Sequence, residues 1–474
     1  MQSSIRPRPI GWRVRSRDQR IILLIGDAFV STIALFGGLY FWGQKDAWLK
    51  FSLNFLQQRV DFWFWFLPVI WMIFLVELYN PHRARNLRQT VAGISLAALA
   101  GLLLYALVYF ISAKGSLPRL GIGIFLVFAF VLTLAWRLIY IRISTAQAFL
   151  NRVLIIGAGS AGKTLVDVYN KMNPKPFLLV GFMDDDPTKV GKEIEGFPIL
   201  AGNDHLLEII EAKAITEIVI AITGEMEGST FQILLDAQQN GMEIIPMPSL
   251  YEDLLGRVPI HHLESEWLIR SFVNDARVGG FYELAKRLLD ILVSLAGLGI
   301  CILLTPITAI LILVDSGFPI LYTQFRSGKS GKLYNIYKFR TMCQDAEKDG
   351  KVQVTHEHDE RITPVGNILR RSHIDELPQF WNVLLGDMSI VGPRAERPEL
   401  IIEYQKHIPL YRARLLVKPG ITGWAQINYG YSATIAQTVV KLEYDLYYIK
   451  HRNILMDIQI ILRTMTQVIG FQGR

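Results

Sequence analysis

Cysteine is almost missing from this chain: 474 residues carry two, Cys301 and Cys343. Their spacing fits no zinc or redox pattern, which excludes a disulfide scaffold and points to a reducing compartment or to chemistry without thiols. Charge is scarce too, at 19% against about 25% in an average soluble protein, while apolar residues reach 51%. A disordered chain and a collagen-like repeat are excluded by that balance. At roughly 100–200 residues per domain the length implies about three domains. Basic residues outnumber acidic ones, 49 to 42. The excess suits anionic headgroups and phosphorylated substrates. Nucleic acid fits less well, because the basic residues lie beside apolar segments.

The apolar surplus is concentrated in four segments near bilayer length: Ile21–Gly43, Trp63–Tyr79, Thr90–Ile111 and Leu120–Ile141. About 20 apolar residues cross a hydrocarbon core of about 30 Å. The charges inside these runs are Asp27, Glu77 and Arg137, and Tyr40, Trp42, Trp63, Trp65 and Tyr79 stand near the ends, where interfacial aromatics belong. The first run is too long for a signal peptide and lacks a small-residue cleavage site. Residues 1–20 form a basic leader with six arginines, Arg6, Arg8, Arg13, Arg15, Arg17 and Arg20. Arg83, Arg85 and Arg88 mark the second connection, and Arg142 and Arg152 follow the fourth run. This distribution predicts a four-helix transmembrane bundle over 21–145 with both ends cytoplasmic.

After residue 150 the pattern changes. Arg152–Ile156 reads as a buried strand, Gly157-Ala-Gly159-Ser-Ala-Gly162 follows it, and Lys163–Met172 reads as a helix. Strand, glycine turn and helix are the context of a dinucleotide fingerprint. Phe177–Met183 ends in Asp184, 22 residues past Gly162, where a carboxylate can bind a ribose hydroxyl. Glu217–Ile222 and Met242–Pro246 add strands, so 150–262 is expected to be a Rossmann-like α/β domain. Gly157 to Thr164 also satisfies the P-loop pattern, but a P-loop enzyme needs a second strand ending in a magnesium-binding aspartate, and Ile218–Ile222 runs into Thr223-Gly224 instead. The glycines Gly157, Gly159 and Gly162 either hold a nucleotide of unknown identity or serve only the turn and close helix packing.

A further apolar run, 282–314, carries Thr305-Pro306 at its centre. Proline removes a backbone donor and kinks a helix, and Thr305 can satisfy the freed carbonyls. The run reads either as a re-entrant helix hairpin or as a kinked fifth span. Beyond it the sequence turns polar. Lys338-Phe-Arg340-Thr-Met342, Ile374-Asp375-Glu376-Leu-Pro378-Gln379, Gly386-Asp387-Met-Ser-Ile-Val-Gly-Pro393-Arg394 and Lys418-Pro-Gly-Ile-Thr-Gly-Trp424-Ala-Gln426 occur in that order.

These four motifs resemble the bacterial sugar transferase family, the polyprenyl-phosphate hexose-1-phosphate transferases or monotopic phosphoglycosyl transferases. The resemblance covers roughly 278–474. The front of the chain is similar to the family's long members, which start O-antigen, capsule or exopolysaccharide units. It implies transfer of a sugar 1-phosphate from a UDP-hexose, galactose or glucose, to undecaprenyl phosphate, releasing UMP. It also implies a bacterial inner membrane location with the catalytic domain on the cytoplasmic face. A true crossing at 282–314 would put that domain outside, away from nucleotide-activated donors, so the hairpin is favoured.

The residues suit such a reaction. Attack on a phosphorus ringed by negative oxygens needs cations, a divalent metal and a positioned nucleophile. Asp375 and Glu376 are adjacent carboxylates, and Pro378 followed by Gln379–Leu385 predicts that they open a helix, where a phosphate is favoured. By resemblance Asp375 is the nucleophile and Glu376 helps to hold Mg²⁺, which prefers oxygen ligands and phosphates. Lys338, Arg340, Arg370 and Arg394 are the phosphate candidates. Asp387 is either a metal-side carboxylate or a helix-end residue. The family commonly has proline after the Pro-Arg pair, where this chain has Ala395. His356, His358 and Asp359 form a cluster in a polar loop, and Ile454–Ile469 reads as an amphipathic helix for the membrane surface. A homodimer through the bundle or the Rossmann-like domain fits the length. Two rival functions stand beside the transferase. A membrane-anchored nucleotide-sugar oxidoreductase or epimerase explains only the middle domain and leaves Asp375-Glu376 without a use, and a non-catalytic membrane scaffold predicts decay of that pair, which is intact.

Overall fold

The computed structural model describes residues 16–79, 81–111, 118–145, 150–224, 226–263, 279–344, 359–430 and 434–469. Arg6, Arg8, Arg13, Arg15, His356 and His358 lie outside them. The chain divides into two compact units, Met1–Leu250 and Tyr251–Arg474.

The N-terminal unit starts with α1 (Ser16–Gln44), and continues through the short α2 (Leu67–Phe74) to α3 (Leu87–Ile111) and α4 (Arg119–Ser144). Helices α1, α3 and α4 are long and apolar enough to cross a membrane. The expected second span is not a helix of that length. Trp63–Tyr79 breaks into a 3-10 turn at Phe62–Phe66, α2, and a second 3-10 turn at Val76–Tyr79. Its apolar side chains divide: Phe64, Trp71 and Leu75 are buried among residues of α1, α3 and α4, while Trp65, Phe66, Val69 and Ile73 stay exposed. Trp71 Nε1 donates to Thr133 Oγ1 at 3.0 Å. Beside it, Arg137 of α4 pairs with Asp27 of α1 at 2.5 Å and donates to the Leu78 carbonyl at 2.7 Å. Two charges buried in an apolar bundle persist only when paired in this way.

Behind the helices lies a six-stranded sheet with the order β3-β4-β2-β1-β5-β6. Its strands are β1 (Arg152–Ile156), β2 (Leu178–Met183), β3 (Glu193–Ile194), β4 (Phe197–Ala201), β5 (Glu217–Ile220) and β6 (Glu243–Pro246). All pairs are parallel except β3 with β4. The order reverses beside β1, and α5 (Ser160–Lys171) follows the glycine turn there.

The C-terminal unit is built along α6 (Gly280–Ser316), one helix of 37 residues that contains Pro306. Thr305 Oγ1 donates to the Cys301 carbonyl at 2.7 Å. One stripe of α6 is buried from Asp290 to Ile312: Asp290, Ser294, Gly297, Cys301, Thr308 and Ile312. The opposite stripe, with Leu292, Leu295, Ile302, Leu303, Ile307 and Ile310, is exposed and apolar. Against α6 pack the antiparallel hairpin β7 (Leu321–Ser327) and β8 (Leu333–Phe339), then α7 (Pro364–Arg371) and α8 (Gln379–Leu385). The parallel pair β9 (Ser389–Val391) and β10 (Gly420–Thr422) follows, with α9 (Ile435–His451) and α10 (Ile454–Ile469). Helix α10 is not a free surface helix, because Met456 and Ile460 are buried in the unit's core and Asp457 accepts hydrogen bonds from Tyr282, Lys286 and Tyr448.

This unit begins earlier than the motif pattern suggests. The sequence assigns 150–262 to the Rossmann-like domain, but Val258 and Ile260 belong to the core of the C-terminal unit. Trp424 Nε1 donates to the Gly256 carbonyl at 2.7 Å, and Lys450 pairs with Glu252 at 3.0 Å. Apolar side chains at 258 and 260 need a core, and the C-terminal unit supplies it.

Candidate active site

Lys338 stands on β8, Asp375 and Glu376 in a 3-10 turn (Ile374–Glu376), and Arg394 in the loop after β9. What fixes their spacing is local. Asn382 of α8 is fully buried; its amide donates to the Asn335 carbonyl at 2.7 Å and its carbonyl accepts the Tyr337 N–H at 3.1 Å. That exchange ties α8 to β8 beside Lys338. Arg287 of α6 donates to the Val383 and Leu384 carbonyls at 2.8 and 2.7 Å, satisfying the far end of α8. Asp290 of α6 accepts from Ser389 Oγ and the Ile390 N–H at 3.0 and 2.9 Å, holding β9 on the same helix.

The result is a cationic clamp on one carboxylate. Lys338 Nζ and Arg394 Nη2 reach the same Glu376 oxygen, at 2.7 and 2.8 Å. Burial works against the Glu376 anion, but Arg394 and Lys338 outweigh it and hold the carboxyl well below the usual range. Asp375, also buried, accepts no hydrogen bond among the described residues. Burial and its neighbour Glu376 push its carboxyl up to about 6, opposed by Lys338, Arg370 and Arg394. One member of the pair is therefore pinned by two cations, and the other has no such partner among the described residues. Arg370 Nε donates to Thr341 Oγ1 at 2.9 Å, and burial lowers its affinity for the proton although Asp375 favours the charge.

Two expectations change at this point. The dyad does not open a regular helix: it sits in the 3-10 turn, and α8 begins beyond Pro378, at Gln379. A seven-residue helix has a small dipole, so the cations carry the stabilisation of negative charge. Arg340 does not join the clamp. Its Nη2 donates to the Ser316 carbonyl at 2.8 Å and to the Gly317 carbonyl, tying β8 to the end of α6. The Arg340 Nε and Nη1 atoms are buried without a hydrogen-bond partner among the described residues.

Other candidates have structural places. Asp387 follows the left-handed Gly386 that ends α8. Trp424 is buried and stacked on Tyr447. Asp359 pairs with Arg361, and no group of three or more His, Cys, Asp or Glu gathers among the described residues.

In the N-terminal unit, Gly157 adopts φ +106°, and a side chain on Gly162 would meet the Gly157 carbonyl at 2.4 Å. Both glycines serve the turn. The space above Gly159 is open. Asp184 accepts the Ala158 N–H at 2.7 Å and pairs with Lys189 at 3.0 Å, so it braces the glycine loop itself.

The buried charges behind Arg394 were not visible as motifs. Arg326, Glu396, Arg414, Lys441 and Asp445 come from β7, the loop after β9, a 3-10 turn at Tyr411–Leu416 and α9. Lys441 and Asp445 are four apart on one helix, a weak signal that is usually a solvated pair.

Comparison with known proteins agrees with the motif resemblance. The family model described as bacterial sugar transferase matches residues 281–471, and one described as a CoA-binding domain matches 74–248. A UDP-N-acetylgalactosamine-undecaprenyl-phosphate N-acetylgalactosaminephosphotransferase of Aeromonas hydrophila is 40% identical over 47% of this chain, and the match spans about half (52%) of that protein. A UDP-glucose:undecaprenyl-phosphate glucose-1-phosphate transferase of Xanthomonas campestris pv. campestris is 28% identical over 84% of each chain. The transferase of the same description from Klebsiella pneumoniae is 32% identical over 66% of this chain and 67% of its own. With the Asp375-Glu376 pair, its cationic clamp and the apolar helix α6 in one unit, the chain belongs to the bacterial sugar transferase family.

Proposed function

We propose that the chain transfers a hexose 1-phosphate from a UDP-hexose to undecaprenyl phosphate, as the first membrane step of O-antigen, capsule or exopolysaccharide assembly. The observation that carries this is a buried carboxylate with no hydrogen bond among the described residues, Asp375, beside a carboxylate held by Lys338 and Arg394. An Asp375 oxygen attacks the β-phosphorus of the donor. The bond from that phosphorus to the bridging oxygen breaks, and UMP leaves with the electron pair. An oxygen of the lipid phosphate then attacks the aspartyl phosphosugar, which frees the carboxylate and yields undecaprenyl-diphosphate-hexose. Lys338 and Arg394 can turn from Glu376 to the donor's phosphates, where their charge opposes the charge that builds up during transfer. Magnesium, when bound at Glu376, would supply further charge neutralisation.

Two features of α6 support a helix that enters and leaves the bilayer on one face, with the catalytic unit cytoplasmic. Its buried stripe follows the C-terminal unit along both arms. That unit also holds both ends, through Tyr282 with Asp457 and Ser316 with Arg340. A helix of 37 residues drawn straight would be about 55 Å long. Engineered cysteines at Lys45 and Ser330 test this: the first should label from outside and the second only from the cytoplasm. Outside labelling of Ser330 would contradict it.

For the glycine turn at Gly157–Gly162 we propose a structural role, since the Asp184 carboxylate is occupied by the loop. Thermal unfolding with NAD and coenzyme A should shift by less than about 1 °C, and a shift of several degrees would instead identify a ligand.

The function is tested by giving detergent-solubilised protein a panel of UDP-sugars with polyprenyl phosphate. The expected result is UMP and a lipid-linked sugar phosphate, fastest with UDP-glucose or UDP-galactose. UDP as the nucleotide product, or none, would contradict it.

A further inference from the structure

Four consecutive carbonyls carry the loop that presents Arg394, and each has its own donor. Pro393 O accepts the Gly420 N–H at 2.9 Å, and Glu396 O accepts the Ser327 N–H at 3.1 Å. Ala395 O accepts Arg326 Nη1 at 3.3 Å, and Arg394 O accepts Arg414 Nη2 at 3.1 Å. The chain has alanine at 395, so these bonds supply the stiffness that a second proline would give.

Among the donors Arg414 is the most deeply embedded side chain, at 4% exposure. The same Nη2 reaches Asp445 at 2.9 Å, while Nη1 donates to Tyr411 Oη at 2.7 Å and lies 3.4 Å from the Glu396 carboxylate. Glu396 is also paired with Lys441 at 3.0 Å. Both terminal nitrogens of the Arg414 guanidinium are thus held by protein groups. Arg394, by contrast, keeps 43% of its side chain exposed at the clamp.

We propose that Arg414 is a positioning residue: it fixes the backbone from which Arg394 reaches Glu376 and the transferred phosphate, and acts on the reaction only through Arg394. The planar guanidinium is required because it must bridge a carbonyl, a phenol and two carboxylates at once. A lysine keeps the charge but has one point of attachment. The proposal rests on the reading of Arg394 as a phosphate-binding group.

A double-mutant cycle tests it on the full chain, with UMP release and the unfolding midpoint measured for Arg394→Ala, Arg414→Lys and the pair. Arg414→Lys should lower kcat about tenfold or more in the wild-type background and less than about threefold in the Arg394→Ala background. The change in unfolding midpoint should be the same in both. Equal fold-losses in the two backgrounds would overturn the proposal, as would no loss in the first. Should Arg414→Lys fail to fold, Asp445→Asn, which releases the other side of the same guanidinium, replaces it with the same expected coupling. If Arg394→Ala alone is fully active, the reading of Arg394 fails and takes the proposal with it. An impaired Arg394→Ala with additive Arg414→Lys defeats only the proposal.

Discussion

At Asp375 the surroundings pull in two directions, and the balance has a measurable consequence. Burial and Glu376 raise the carboxyl to about 6, while Lys338, Arg370 and Arg394 restrain the rise. The nucleophilic form is the carboxylate, so its fraction grows with pH. In the free enzyme kcat/KM should therefore fall below an apparent pKa near 6, with about a tenth of the activity left one unit lower. Removing a nearby cation disfavours the anion, so Arg394→Gln should move that limb to higher pH. A limb that stays put would show that Arg394 does not act on Asp375. Lys338, Asp375, Glu376 and Arg394 were legible in the sequence, because diphosphate chemistry calls for those residue types in contiguous motifs. Arg340 was not assigned its place. It lies just beyond β8, where the strand's alternation no longer fixes direction, and it turns to the end of α6.

Among the elements, α6 does more than anchor the unit: Arg287, Asp290, Gly297 and Ser316 touch α8, β9 and Arg340. A side chain at Gly297 would come within 2.5 Å of the Phe380 ring, five residues past Asp375. Gly297→Leu should cost about 1–3 kcal/mol or more by overpacking and should lower UMP release. An unchanged unfolding midpoint and normal activity would contradict this contact. In the N-terminal unit, Asp27→Leu leaves Arg137 buried without its partner and should destabilise the bundle by about 3–5 kcal/mol. Replacing both residues by leucine should recover much of that. Three of the four expected bilayer-length helices were readable from apolar run length. The remaining one was not, because hydropathy does not distinguish a continuous bilayer-length helix from an apolar, aromatic-rich stretch broken into short helical turns.

For the whole molecule, the motif pattern places the start of the transferase unit near 278, whereas the fold places it at Tyr251. Nothing between 251 and 262 looks catalytic, and Val258 and Ile260 are buried in a core whose other buried members lie between Tyr334 and Ile460. A chain starting at Tyr251 should fold and release UMP, while one starting at Arg277 loses two buried aliphatic side chains, each worth about 1.5–3 kcal/mol, and should be markedly less stable. Equal stability of the two would contradict the boundary. The most direct test of the central claim is covalent capture at Asp375. Full-length protein with a UDP-hexose labelled in its β-phosphate, and with no lipid acceptor, should release up to one UMP per active site and retain the label on the enzyme, and Asp375→Asn should do neither. UMP release that strictly requires the lipid, with no label retained, or near-normal turnover by Asp375→Asn, would contradict the account and leave direct attack by the lipid phosphate in its place.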